Sequence, residues 1–149
     1  MAASVPAGRE VAVPEAEEQS RPARRVLVVD DDGEMRALLR RMLEFDGYQV
    51  TERDRGTHVV ETLRGAPFDL IILDKEMPGF NGLDLLPILH REFPRLPVVF
   101  VTAFGGRQVA AAALRLGASS YLEKPFRLGQ LRDTVDGLIS RSADAPRPG

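Results

Sequence analysis

Three runs in this chain are apolar almost without interruption: Val26-Leu27-Val28-Val29, Phe68-Asp69-Leu70-Ile71-Ile72-Leu73 and Pro97-Val98-Val99-Phe100-Val101. A sheet with one face in water alternates apolar and polar residues. A solid run instead reads as a strand covered on both faces, the environment of a parallel sheet. The segments between these runs carry a helical period. Met35, Leu38, Leu39, Met42 and Leu43 recur at the spacing of an amphipathic helix closed by Asp46-Gly47. Val59, Val60 and Leu63 mark a second short helix stopping at Gly65, and Leu83 to Phe93, Gln108 to Leu116 and Leu131 to Ile139 mark three more. Tyr48-Gln49-Val50-Thr51 is a weaker strand and Ser120-Tyr121-Leu122-Glu123 a short fifth one. Five strands joined by five helices through right-handed crossovers predict an open, doubly wound, five-stranded parallel α/β sheet.

This alternation bounds the folded part at residues 24–141 of the 149. Residues 1–23, with Pro6, Pro14 and Pro22 and no apolar period, read as a disordered leader rather than a signal peptide. Residues 142–149 read as a flexible tail. A formal net charge of -2 lacks the basic excess of a generic nucleic-acid or anionic-membrane binder. The absence of cysteine excludes disulfides, thiolate zinc sites and thiol nucleophiles. No apolar stretch approaches the length of a membrane span, and His58 and His90 stand too far apart in sequence to suggest a histidine metal cage.

In doubly wound sheets the site lies beyond the carboxyl ends of the strands. Strand 1 ends in Asp30-Asp31-Asp32, strand 3 in Asp74, strand 4 in Thr102 and strand 5 in Lys124-Pro125-Phe126. Taken singly each has a plainer reading: Asp32 as a helix N-cap, Thr102 as a turn residue, Lys124 as surface chain. All fall at strand ends of one alternation, and that joint placement favours a shared site. Two like charges 4 Å apart repel by roughly 4 kcal/mol at an effective dielectric near 20. Grouped carboxylates therefore call for a cation, and Mg²⁺ takes one or two carboxylates with water and phosphate oxygens. Of twenty basic residues only Lys75 and Lys124 are lysine, which sets Lys124 apart as a compact point charge. Carboxylates, a divalent ion, an ammonium and a hydroxyl together suit phosphoryl transfer.

The same residues resemble the receiver domain of bacterial two-component response regulators. The likeness is carried by Val26-Leu27-Val28-Val29-Asp30-Asp31, by Leu73-Asp74-Lys75-Glu76-Met77-Pro78-Gly79-Phe80-Asn81-Gly82, by Val101-Thr102-Ala103, and by Gly117 through Phe126. It implies a flavodoxin-like strand order 2-1-3-4-5. It makes Asp74 the phosphoacceptor, and Asp30, Asp31, Asp74 and the backbone carbonyl of Glu76 the ligands of Mg²⁺ or Mn²⁺. Lys124 would bond a phosphoryl oxygen ahead of a cis Pro125, Thr102 would turn to the new phosphate, and Tyr121 would swing inward behind it. Lys75 after the acceptor, Asn81 before Gly82, and Pro87 near the first turn of the third helix depart from the commoner pattern. The family's positions affecting acyl-phosphate hydrolysis are here Glu76 and Phe104, and the bulk of Phe104 is expected to hinder the attacking water.

The expected function is thus a cytoplasmic, phosphorylation-dependent stand-alone receiver, a switch and not a turnover enzyme. Its expected partners are a sensor histidine kinase or histidine phosphotransfer protein and a downstream protein target, with no nucleic acid bound directly. A phosphorylation-dependent homodimer through the fourth and fifth helices is also expected. Two alternatives stand beside it: a pseudo-receiver that binds without being phosphorylated, and a small metal-dependent phosphohydrolase using Glu76 as general acid.

Overall fold

The computed structural model describes residues 23–144. Its main elements are β1 (Arg25–Val29), α1 (Gly33–Phe45), β2 (Gln49–Arg53), α2 (Val59–Gly65) and β3 (Leu70–Asp74), then α3 (Gly82–Glu92), β4 (Val98–Thr102), α4 (Arg107–Arg115), β5 (Ser120–Glu123) and α5 (Leu128–Asp144). All strand pairs of the main sheet are parallel, and the order is β2-β1-β3-β4-β5. The doubly wound sheet read from the solid apolar runs is the one observed.

The period of two along each buried strand sorts the core into two layers. Val26, Val28, Ile72, Val99 and Val101 face α1 and α5 through Leu39, Leu43, Leu131 and Val135. Leu27, Val29, Ile71, Leu73 and Phe100 face α2, α3 and α4 through Val59, Leu86, Leu89 and Ala113. Fully burying one such side chain stabilises the fold by about 1.5–3 kcal/mol.

Several boundaries move from their expected places. β2 runs on to Arg53 because β1 continues to pair with it, Val28 opposite Glu52 and Val29 opposite Arg53. Arg36 and Arg40 of α1 hold the Glu52 carboxylate at 3.0 and 2.6 Å. β3 begins at Leu70 and ends on Asp74 itself, while β4 ends on Thr102 itself. α5 continues through Asp144, into the segment read as tail, because a helix already formed propagates through polar residues that show no apolar period. The rest of the expected tail, and the expected leader apart from Ala23, lie outside the described residues. Pro87 is the sixth residue of α3 rather than part of its first turn, so the Leu83 carbonyl lacks its usual i+4 donor there.

A small antiparallel hairpin, Glu76–Met77 with Phe80–Asn81, follows β3. Its turn is Pro78-Gly79, with Gly79 at φ +68. Two-residue strands leave no periodic trace in the sequence. No described helix is long and apolar enough to cross a membrane.

Candidate functional site

The sheet register decides which residues meet. β3 lies between β1 and β4, with Leu73 opposite both Val29 and Phe100, so Asp30, Asp74 and Thr102 leave neighbouring strands at nearly the same height. β5 pairs with β4, and the Lys124 amide donates to the Thr102 carbonyl at 2.8 Å, bringing Lys124 to the same end. The Lys124–Pro125 peptide is cis.

Asp30 and Asp74 are buried, 3% and 2% exposed, and Asp31 stands at the exposed mouth. Carboxylate oxygens of the three lie within 4.8 Å of one another. Lys124 Nζ donates to Asp30 Oδ2 at 2.9 Å and approaches Asp74 Oδ1 at 3.2 Å. The Asp32 amide donates to the other Asp30 oxygen at 2.9 Å. Asp32 itself turns away and caps α1, accepting from Glu34 N at 3.0 Å and Met35 N at 3.2 Å.

The close Lys124 contact to Asp74 lacks hydrogen-bond alignment, and Asp74 Oδ1 is a buried oxygen with no hydrogen-bond partner. Burial, and next the negative charge of Asp30, push the Asp74 pKa up to about 7 against the opposing pull of Lys124. Lys124 shows the complementary effect. Burial would lower it, but the hydrogen bond and charge of Asp30, with Asp74 behind, lift it above the ordinary lysine range. An unsatisfied buried carboxylate oxygen beside two further carboxylates is the donor set that a hard, oxygen-seeking dication satisfies. The residues present fit Mg²⁺ or Mn²⁺.

Glu76 was expected to contribute through its backbone carbonyl. Its side chain has separate partners, and these were not foreseen. One carboxylate oxygen accepts the Thr102 hydroxyl and faces Lys75 Nζ at 3.3 Å, while the other accepts the Ala103 amide at 3.0 Å. Burial alone would raise Glu76, yet the Thr102 hydroxyl, the Ala103 amide and Lys75 together hold it below the ordinary glutamate range. Thr102 Oγ1 also accepts the Phe104 amide at 3.0 Å.

Tyr121 stands apart from the acids. Its hydroxyl donates to Glu123 at 3.0 Å and accepts from the Gly106 amide at 3.2 Å. A Cβ on Gly105 would lie 2.0 Å from that hydroxyl oxygen, so glycine is what admits it. Burial and the Glu123 hydrogen bond raise its pKa. Neither Glu123 nor Gly105 was singled out from sequence; the Gly105-Gly106 pair was the available trace. His58 and His90 are exposed surface residues outside this cluster.

A shallow cleft beside the acids is bordered by Asp31, Lys75, Glu76, Met77 and Phe80. Another cleft, walled by Phe68, Phe93, Pro94 and Leu96, gathers none of the reactive groups.

Among curated proteins, the transcriptional regulatory protein TcrA of Mycobacterium tuberculosis is 38% identical over 124 residues, 83% of this chain and 49% of that protein. The DNA-binding transcriptional regulator NtrC of Escherichia coli is 36% identical over 123 residues, 83% of this chain and 26% of that protein. The chain therefore spans about half the length of one relative and about a quarter of the other. Among solved structures, the beryllofluoride-activated NtrC4 receiver domain dimer aligns with a TM-score of 0.76 at 28% identity, over 79% of this chain and 98% of that one. Residues 26–136 match the response regulator receiver domain family, a span that holds all of the main sheet but Arg25 of β1, and the whole acidic cluster. On its sequence, its strand order and the residues at its strand ends, the chain belongs to that family.

Proposed function

We propose that this chain is a phosphorylation-controlled switch in which Asp74 accepts a phosphoryl group from a phosphohistidine. The carrying observation is the buried Asp74 carboxylate, one oxygen without a hydrogen bond, beside Asp30, Asp31 and the ammonium of Lys124. An Asp74 oxygen forms the new P–O bond as the P–N bond breaks; the electron pair stays on the imidazole nitrogen, which the donor then reprotonates. Asp30, Asp31, Asp74 and the Glu76 carbonyl would hold Mg²⁺ or Mn²⁺, which supplies positive charge against the phosphoryl oxygens. Lys124, held by Asp30 and Asp74, offers the second positive charge. Thr102 turns its hydroxyl to the phosphoryl group, and Tyr121 leaves its seat at Gly106 to follow. The loop between β4 and α4, with α4 and α5, thereby forms the two-state element that reads out a local charge change.

The phosphoryl donor in this reading is a sensor histidine kinase or a histidine phosphotransfer protein, and the output is a changed affinity for a protein target. The beryllofluoride-activated NtrC4 receiver is a dimer, which supports phosphorylation-dependent self-association here; α4 and α5 are the surface we propose for it. A cytoplasmic location follows from such donors. The chain is a phosphoacceptor and slow self-hydrolyser, not a turnover enzyme. The phosphohydrolase reading needs Glu76 protonated as general acid, whereas its three donors favour the ionised form. Incubating the protein with acetyl phosphate and Mg²⁺ tests the proposal. A mass gain of one phosphoryl group, abolished in Asp74→Asn, is expected; no gain, or an equal gain in the variant, would overturn it.

A further inference from the structure

The proposed switch needs the Thr102 hydroxyl for a phosphoryl oxygen, yet that hydroxyl is already committed to an anion. The hairpin pairing of Glu76–Met77 with Phe80–Asn81 fixes the Glu76 backbone, and its side chain crosses to the end of β4. There the two carboxylate oxygens are divided between the Thr102 hydroxyl and the Ala103 amide, the latter at 3.0 Å, and Lys75 Nζ closes on the first oxygen at 3.3 Å. A hydroxyl and an adjacent amide directed at two oxygens of one anion make an oxyanion cradle. A phosphoryl group presents equivalent acceptors. Thr102 is fully buried and its backbone is held at a strand end, so its hydroxyl can only rotate in place, while the Glu76 side chain is 30% exposed. Of the two partners, Glu76 is the one with somewhere to go.

We infer that the Glu76 carboxylate is an internal occupant of the phosphoryl-oxygen donors at Thr102 and Ala103, and that an incoming phosphoryl group must displace it before the switch is complete. The inference rests on the phosphoacceptor role proposed for Asp74. An oxyanion arriving at these donors exchanges one anion for another instead of gaining free hydrogen bonds. Glu76 therefore weakens the phosphorylated-like state and restrains Thr102 in the resting one.

The test is a titration of the full chain with beryllofluoride in the presence of Mg²⁺. Glu76→Ala is expected to lower the half-saturating concentration by roughly 3- to 10-fold, the worth of one net hydrogen bond. Glu76→Gln keeps the backbone carbonyl but has one acceptor oxygen for two donors, so it falls between wild type and Glu76→Ala. Glu76→Asp separates occupancy from simple repulsion, since it keeps the charge one methylene short of both donors. An affinity like that of Glu76→Ala supports occupancy; an affinity like wild type assigns the effect to charge alone and overturns the inference. Without beryllofluoride, the Ala103 amide proton is expected to move upfield and exchange faster in Glu76→Ala, and an unchanged resonance would also overturn it. Uptake by every variant at one midpoint overturns this inference alone. No uptake by any of them overturns it together with the Asp74 reading.

Discussion

At Asp74 the fold places a carboxyl that is 2% exposed next to Asp30, and the pKa rises to about 7. The unfolded chain has an ordinary aspartate near 3.9. Between about pH 4 and pH 7 the folded state thus holds a proton that the unfolded state has released, so this group makes stability fall as pH rises through that window. Asp74→Asn removes the penalty. In metal-free buffer at pH 8 it is expected to raise unfolding free energy by on the order of 1–3 kcal/mol, and at pH 4 to change it little. Urea denaturation at the two pH values checks this, and no gain at pH 8 would contradict it. Mg²⁺ favours the ionised form and should stabilise wild type more at pH 8 than at pH 5, and Asp74→Asn far less. A second expectation concerns Phe104, a residue 71% exposed on the loop tied to Thr102 by its own amide. In the proposed switch, Thr102 turning to the phosphoryl group would carry the ring with it to hinder water. Phe104→Ala should shorten the acyl-phosphate lifetime severalfold; an equal or longer lifetime would contradict that role.

Among the elements, what was legible from sequence was what burial imposes. β1, β3 and β4 are covered on both faces, and their unbroken apolar runs announced both the parallel sheet and the site at its carboxyl end. Asp30, Asp31, Asp74 and Lys124 do converge there. Side-chain partners across elements were not legible, because hydrogen bonding between Glu76 and Thr102 depends on a hairpin too short to show periodicity. The seat of Tyr121 likewise depends on Gly105, 16 positions earlier, and on Glu123. The same two-layer core makes a mutational prediction. Phe100 is fully buried in the layer under α3 and α4, and Gly82 approaches its ring so closely that an added Cβ would lie 3.0 Å away. Phe100→Ala should cost about 3–5 kcal/mol in denaturant unfolding. A loss below 1 kcal/mol would mean that this layer collapses around the cavity.

For the whole molecule, helices cover both faces of the sheet, so any partner of the described residues meets helix and loop surface. Leu114 on α4 is 51% exposed, a large apolar side chain on the surface proposed for self-association. Sedimentation should show an increase toward dimer mass when Mg²⁺ and beryllofluoride are added, reduced in Leu114→Asp; identical mass with and without the ligand would contradict the dimer. The central claim is that one carboxylate in the cluster becomes the acyl phosphate. Borohydride reduction after phosphorylation, followed by peptide mass spectrometry, locates that residue directly, since an aspartyl phosphate is reduced to homoserine. Homoserine is expected at position 74 and nowhere else. Conversion at position 30 or 31, or no conversion in a fully folded sample supplied with Mg²⁺ and a phosphodonor, would contradict it.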